Sequence, residues 1–415
     1  MLERNGLRKW APDDDFGLRV SAFYIATFFI VGCYMPFLPV WLRWRGLDET
    51  QIALIYAMPV FVRAIFTPAM AFLADRSGRP VTMLKGLAWA SLLSALILPF
   101  TGGFAAILAI ILLFTLFWMS VVPLTEAVAL SGARAGRADY GRMRLWGSFS
   151  YIAMTAAGGV ALELWGPQAA LWLFIGAAAS VVLTVYGLPR GGGYDRAVED
   201  VPGLSMQRLA IADLMQLVRA PMLWLFFAAT SMIQSAHAVY YIFGTLHWTS
   251  VGISPAVIGL LWAVGVTAEI VLFAYAGWVG RWLGPSQLIC LAGAMAVLRW
   301  VFTASDPSLP VLFVLQSLHG LTFGAAHLGA MQFMGRALPQ RLAASAQGLY
   351  ASITAGVVMG VASLASGPLY SAYAGRAYLA MAVLACAGLA ASVLLMRQWR
   401  GGLIFIPREQ PAAAE

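Results

Sequence analysis

The sequence predicts an all-α integral membrane protein, with twelve transmembrane helices in two pseudosymmetric six-helix bundles. Three observations carry that expectation. Of the 415 residues, 61% are hydrophobic and 11% are charged, whereas a water-soluble domain carries about 25% charged residues. The apolar residues fall in runs of about 20, the length that crosses a bilayer's hydrocarbon core. Lys and Arg are confined to short segments between these runs, mostly alternate ones, which is the bias of a polytopic protein with basic cytoplasmic loops. Helix is the expected state, because a membrane barrel strand would show alternating segments of about ten residues.

The first six spans are expected at 20–42, 52–74, 81–100, 105–130, 146–164 and 169–188. The second six are expected at 222–246, 256–279, 286–303, 309–334, 345–369 and 378–396. Span one follows a polar tail containing Asp13, Asp14 and Asp15, and it is too long for the apolar region of a cleaved leader. Basic residues precede span one (Arg4, Arg8, Lys9, Arg19) and follow span two (Arg76, Arg79, Lys85), span four (Arg134, Arg137, Arg142, Arg144), span eight (Arg281) and span ten (Arg336, Arg341). They also mark the long connection after span six and the C-terminal tail, so both termini are expected in the cytoplasm. Trp41, Trp44, Trp165, Trp248, Trp278 and Trp282 lie near span ends, as an interfacial aromatic belt requires.

The long connection divides the chain into an N-terminal bundle at 1–188, a cytoplasmic linker at 189–220, and a C-terminal bundle with its tail at 221–415. Its glycines at 191–193 lack a following Lys-Ser/Thr pair, so they read as linker rather than as a phosphate cradle. Paired six-span halves are an architecture in which one half rocks against the other around a midplane site. The basic loops form no phosphate-binding stripe, which disfavours a nucleic-acid partner. Cys33, Cys290 and Cys386 lie far apart in apolar spans, so neither a disulfide framework nor a metal site is expected. No Ser/His/Asp set, HExxH or phosphate loop points to an enzyme, and no cofactor is expected.

Charge at membrane depth costs roughly 2.5–3.5 kcal/mol per residue on insertion scales, so ionisable residues inside the spans mark candidate function. Glu126 ends span four and Arg144 opens span five across a short loop. These helices are then antiparallel neighbours, and the two side chains can pair, either as a ligand site or as a helix-end salt bridge. Glu269, Arg299 and His319 lie in spans eight, nine and ten. Apolar burial favours the protonated carboxyl and a guanidinium favours the ionised one; such a balance can shift with access to either side, although a static charge network is the alternative. Gln234, His237, Tyr240 and Tyr241 fall at i, i+3, i+6 and i+7 of span seven. They suit either substrate contact or a polar patch between helices.

The loop Asp75-Arg76-x-Gly78-Arg79 resembles the signature loop of the major facilitator superfamily, with Ala71 where the family pattern opens on Gly. The role implied for Asp75, Gly78 and Arg79 is gating. Glu126 followed by Gly141-Arg142-x-Arg144-x-x-Gly147 resembles the lactose permease family of oligosaccharide–proton symporters. That likeness implies sugar contact by Glu126 and Arg144, with Tyr151 as the stacking aromatic. Glu269, Arg299 and His319 match the same family's charged residues, but Thr322 stands where it carries a proton-bearing Glu. The burden of proton coupling therefore shifts to Glu269. Ala236-His237-Ala238-x-Tyr240-Tyr241, Leu298-Arg299-Trp300 and Leu318-His319, together with Pro36-Phe37-Leu38-Pro39, resemble the phenylpropionate permease family over nearly the whole chain. The resemblance implies a proton-driven importer of a small aromatic carboxylate such as 3-phenylpropionate, in a bacterial inner membrane. Substrate-binding roles are expected for Glu126, Arg144, Tyr151, Gln234, His237, Tyr240 and Tyr241, and proton coupling for Glu269, Arg299 and His319. The partners expected are a small molecule, protons and the bilayer, with a monomer sufficing. A sugar or nucleoside symporter and an exporter are the alternatives.

Overall fold

In the computed structural model, residues 15–77, 79–189, 219–339 and 342–404 are described, and every regular element among them is helical. Residues 190–218 of the expected linker at 189–220, the N-terminal tail before 15 with Arg4, Arg8, Lys9, Asp13 and Asp14, the tail beyond 404 and Gly78 lie outside the described residues. Among the described residues, ten helical stretches are long and apolar enough to cross a bilayer. One of these, Ser345–Gln398, is 54 residues long and turns at Ala374–Arg376, so it makes two passes. With the 29-residue helix Glu49–Ser77, the pattern is consistent with twelve spans.

The chain divides into two compact units. The first comprises Met1–Ser205, Val239–Val266 and Ser363–Ala374. Its helices are α1 (Phe16–Trp44), α2 (Glu49–Ser77), α3 (Pro80–Ile97), α4 (Gly103–Arg134), α5 (Tyr140–Trp165) and α6 (Gln168–Val185). α1 packs mainly on α5 and α6, and Phe114, Trp118 and Phe174 cluster around Tyr34. α5 starts at 140 because the Asp139 carboxylate accepts the Arg142 backbone N–H at 2.7 Å, satisfying an otherwise orphaned first-turn donor. Asp139→Ala is expected to cost about 1 kcal/mol, read as a lower melting temperature in detergent, and Asp139→Ser to recover most of it.

Glycine decides one crossing in this unit. A methyl group built on Gly159 of α5 would collide with the Pro255 carbonyl oxygen and lie 3.1 Å from the Gly259 Cα; one on Gly259 would collide with the Thr155 carbonyl oxygen. The two backbones therefore meet directly, as small residues permit between membrane helices. Beside the crossing, the Glu163 carboxylate accepts the Ala256 N–H at 3.0 Å. Ala256 stands in the first turn of α9 (Pro255–Ala274), where the helix dipole favours negative charge.

The second unit comprises Met206–Ala238, Thr267–Ala362 and Gly375–Glu415. Span seven is two helices, α7 (Pro221–Ser235) of this unit and α8 (Ala238–Ser250), whose residues from Val239 belong to the first unit, broken at Ala236–His237. Then come α10 (Ala276–Trp282), α11 (Pro285–Thr303) and α12 (Leu309–Ser317). Span ten widens into a π turn at Gly320–Gly324 before α13 (Ala325–Ala337). Span eleven does the same at Ser352–Val358, between α14 (Ala343–Ala351) and α15 (Met359–Tyr373). α16 (Ala377–Gln398) packs on α11 and α7. The core holds Phe226 stacked on Phe333 at 4.4 Å, with Tyr350 and Trp399 around them. Leu164, Leu183 and Val383 stand exposed, as apolar residues facing hydrocarbon do. Pro221 and Pro285 open their helices where no N–H is needed.

Candidate functional site

Among the described residues, each unit contains a cluster of charged side chains inside its spans. In the first unit, Glu126 of α4 accepts Arg144 Nε at 3.1 Å on one carboxylate oxygen and the Tyr140 hydroxyl at 2.6 Å on the other. The Arg144 guanidinium lies 4.2 Å over the Phe28 ring and 5.7 Å from that of Tyr24. The Arg144 and Glu126 side chains are 33% and 24% exposed. The short α4–α5 loop thus brings the pair face to face, as antiparallel neighbours allow, while keeping it accessible. Tyr151, two turns beyond Arg144, is buried where α5 packs against Gly32 of α1. Tyr240 stacks on Trp262 at 4.5 Å and is buried, and Tyr241 is partly buried beside it. Arg79 is exposed, and nothing is described of the Asp75 side chain.

The second unit's cluster is built around Arg299, which is fully buried. Its Nη1 donates to His319 Nδ1 and to Thr322 Oγ1, both at 3.1 Å, and its Nη2 donates to Gln316 Oε1 at 2.9 Å. The guanidinium also lies 4.5 Å over the Trp300 ring. His237, equally buried, places Nδ1 at 3.1 Å from the Gln234 carbonyl and 3.2 Å from that of Ile233, and Nε2 at 3.1 Å from Thr322 Oγ1. The ring thereby satisfies carbonyls at the break in span seven.

These partners assign the protons. With two carbonyls before it, His237 Nδ1 carries a hydrogen, and Nε2 meets the Thr322 hydroxyl, which also donates to the His319 carbonyl at 3.4 Å. Thr322 in turn accepts from Arg299. His319 Nδ1 also accepts from Arg299, so its hydrogen sits on Nε2, which points to Glu269 Oε2 at 3.8 Å. The network joins the Arg299 cation to the Glu269 acid, with His319 between them. The Glu269 side chain is 24% exposed against 7% for His319, so Glu269 is the network's accessible end.

Gly320 sets the spacing of Glu269 and His319. A methyl group built on it would lie 2.6 Å from the Ala268 carbonyl oxygen. The backbone of span ten therefore passes directly against that of span eight, next to Glu269. The structure brings together Glu269, Arg299, His319 and His237, with Gln234 one turn before His237, and separately Glu126 with Arg144. Sequence reasoning missed Gln316 and Gly320. The signal for Gln316 was present: it is a polar residue three positions before His319 in an apolar run.

Comparison with known proteins agrees with this architecture. The family model described as "MFS_1 like family" matches residues 18–380. The chain is 28% identical over 362 residues to the "Probable 3-phenylpropionic acid transporter" of Escherichia coli (strain K12), covering 87% of this chain and 93% of that protein. It is 26% identical over 389 residues to the maltose permease of Geobacillus stearothermophilus, covering 91% and 94%. The crystal structure of nucleoside transporter NupG superposes with a TM-score of 0.79 at 16% identity, covering 93% of this chain and 100% of that one. These relatives are transporters, not enzymes, and the protein is a multi-pass membrane transporter that binds small molecules. The chain belongs to the MFS_1-like family of the major facilitator superfamily.

Proposed function

We propose that the protein is a proton-coupled importer of a small aromatic carboxylate, working by alternating access. The observation that carries this reading is the Arg299–His319–Glu269 network, which balances one buried cation against one accessible acid through the His319 imidazole. Protonating Glu269 removes a counter-charge from the network, shifting the site toward a positive charge that an anion relieves. A proton and a carboxylate then enter as an electroneutral pair. In the first unit, Arg144 is the partly exposed guanidinium that would meet a carboxylate, and it lies over the partly buried Phe28 ring. The name printed for the Escherichia coli relative supports the substrate class. The reading includes an inner-membrane location with both termini cytoplasmic, a monomer, the proton gradient as driving force and no cofactor.

A sugar or nucleoside symporter is the second reading. Glu126 favours it, because a carboxylate accepts hydroxyl donors and repels an anion, and the maltose permease relative is in line with it. Uptake of labelled 3-phenylpropionate, maltose and uridine into proteoliposomes with an inward proton gradient decides between the two. Accumulation of the aromatic acid alone is expected; accumulation of maltose or uridine alone would sink the carboxylate reading. Under the first reading, Arg144→Lys raises KM for 3-phenylpropionate about tenfold, since an ammonium replaces a planar fork. Thermal stability should stay near wild type.

A further inference from the structure

The polar flank of α7 reaches further than the Arg299 network. Ser231, Gln234 and His237 follow one another at intervals of three, and each meets a π turn. The Ser231 hydroxyl lies 3.0 Å from Thr354 Oγ1, inside the π turn Ser352–Val358 of span eleven. Gln234 Nε2 donates to the Phe323 carbonyl at 3.5 Å, and His237 Nε2 lies 3.1 Å from Thr322 Oγ1, both partners being inside the π turn Gly320–Gly324 of span ten. A π turn packs an extra residue into one turn, leaves a backbone carbonyl short of its usual donor, and occurs mostly at functional sites. The Gln234 amide supplies such a donor from a neighbouring helix. Ser231, Gln234, Thr322 and Thr354 are all buried, so these contacts lie inside the protein.

We propose that Ser231, Gln234 and Thr354 are positioning residues of the coupling network: the flank of α7 ties the π turns of spans ten and eleven together and so sets Thr322 and His319 against Arg299. The inference rests on the reading that the Arg299 network couples transport to the proton gradient. It gives Gln234 a role other than contact with the transported molecule. Span eleven meets the flank of α7 through the Ser231–Thr354 hydroxyl pair and through Tyr350, which hydrogen-bonds Gln234.

The test compares two transport modes of the full-length protein in proteoliposomes, with 3-phenylpropionate as the probe. Ser231→Ala and Thr354→Ala should each lower gradient-driven uptake about fivefold, the worth of one net hydrogen bond. Exchange at equal pH on both sides should keep its rate and its KM. The double variant should be no worse than either single one, because both remove the same bond, and Thr354→Ser should restore uptake. A tenfold rise in the exchange KM for Ser231→Ala or Gln234→Ala would make these residues ligands and overturn the proposal, as would additive losses in the double variant. Glu269→Gln run alongside separates the two layers: if it leaves driven uptake intact, the coupling reading itself fails. Amide hydrogen exchange needs no substrate. Ser231→Ala should speed exchange in both 349–360 and 316–327, and a change confined to 349–360 would refute the tie between the two turns.

Discussion

Glu269→Gln is expected to lower gradient-driven accumulation about a hundredfold while leaving substrate exchange within about twofold of wild type. The amide is isosteric and can take the same place 3.8 Å from His319 Nε2, so the geometry around Arg299 should survive. What it loses is the ability to gain and release a proton. An amide cannot balance Arg299, so the network remains in the charge state it has when Glu269 is protonated. A carrier fixed in that state can still shuttle loaded in both directions, but it has no means of letting the proton go. Exchange and driven uptake, measured in the same proteoliposomes, separate these two capacities. Equal loss of both would show that Glu269 binds substrate or holds the fold, and would remove it as the proton carrier.

Gly320→Val is expected to produce a similar uncoupling by a different route, together with a fall in stability. Its Cβ would lie 2.6 Å from the Ala268 carbonyl oxygen, a backbone atom that no side-chain rotation can move. The helices must separate, at a cost of about 1–3 kcal/mol for overpacking, and His319 moves away from Glu269 as they do. Gly324, one turn later, provides the control. A methyl group there would meet Leu272 Cδ2 at 2.8 Å, the far end of a flexible side chain. Gly324→Ala should therefore be mild and be rescued by Leu272→Ala, whereas Gly320→Val should not be rescued by Ala268→Gly. Melting temperature and driven uptake of the four variants check this. A tolerated Gly320→Val would show that the close approach does not set the network.

The spans were legible because runs of apolar residues are long and the charges between them few. Some observed helices overrun the expected spans, as α1 beginning at Phe16 and α4 extending to Arg134 do, since helix continues into polar sequence, while α6 ends at Val185, short of the expected 188. Glu126, Arg144, Glu269, Arg299 and His319 stood out because ionisable groups are costly in lipid. Gln316 did not, because a neutral amide perturbs an apolar run far less. The break at Ala236–His237 could not be read, having neither Gly nor Pro to mark it; it is satisfied by the His237 ring instead. The π turns were equally invisible, since i→i+5 bonding has no residue signature. Gly320 looked like any helical glycine until the opposing carbonyl was in place.

The crossing of Gly159 and Gly259 is formed by atoms common to every polypeptide. With no side chain between the two helices, there is no rotamer to adjust and no soft layer to compress. Such a joint is either seated or lost, in keeping with the bistability of packed interfaces. Its response to substitution should therefore be a step: alanine, serine and leucine at Gly159 should do nearly equal harm, because the first carbon already fills the gap. At Gly324 the same series should give a slope, growing with each carbon that Leu272 must yield to. The shape of these two dose–response curves, rather than their depth, distinguishes a backbone joint from an ordinary packed contact.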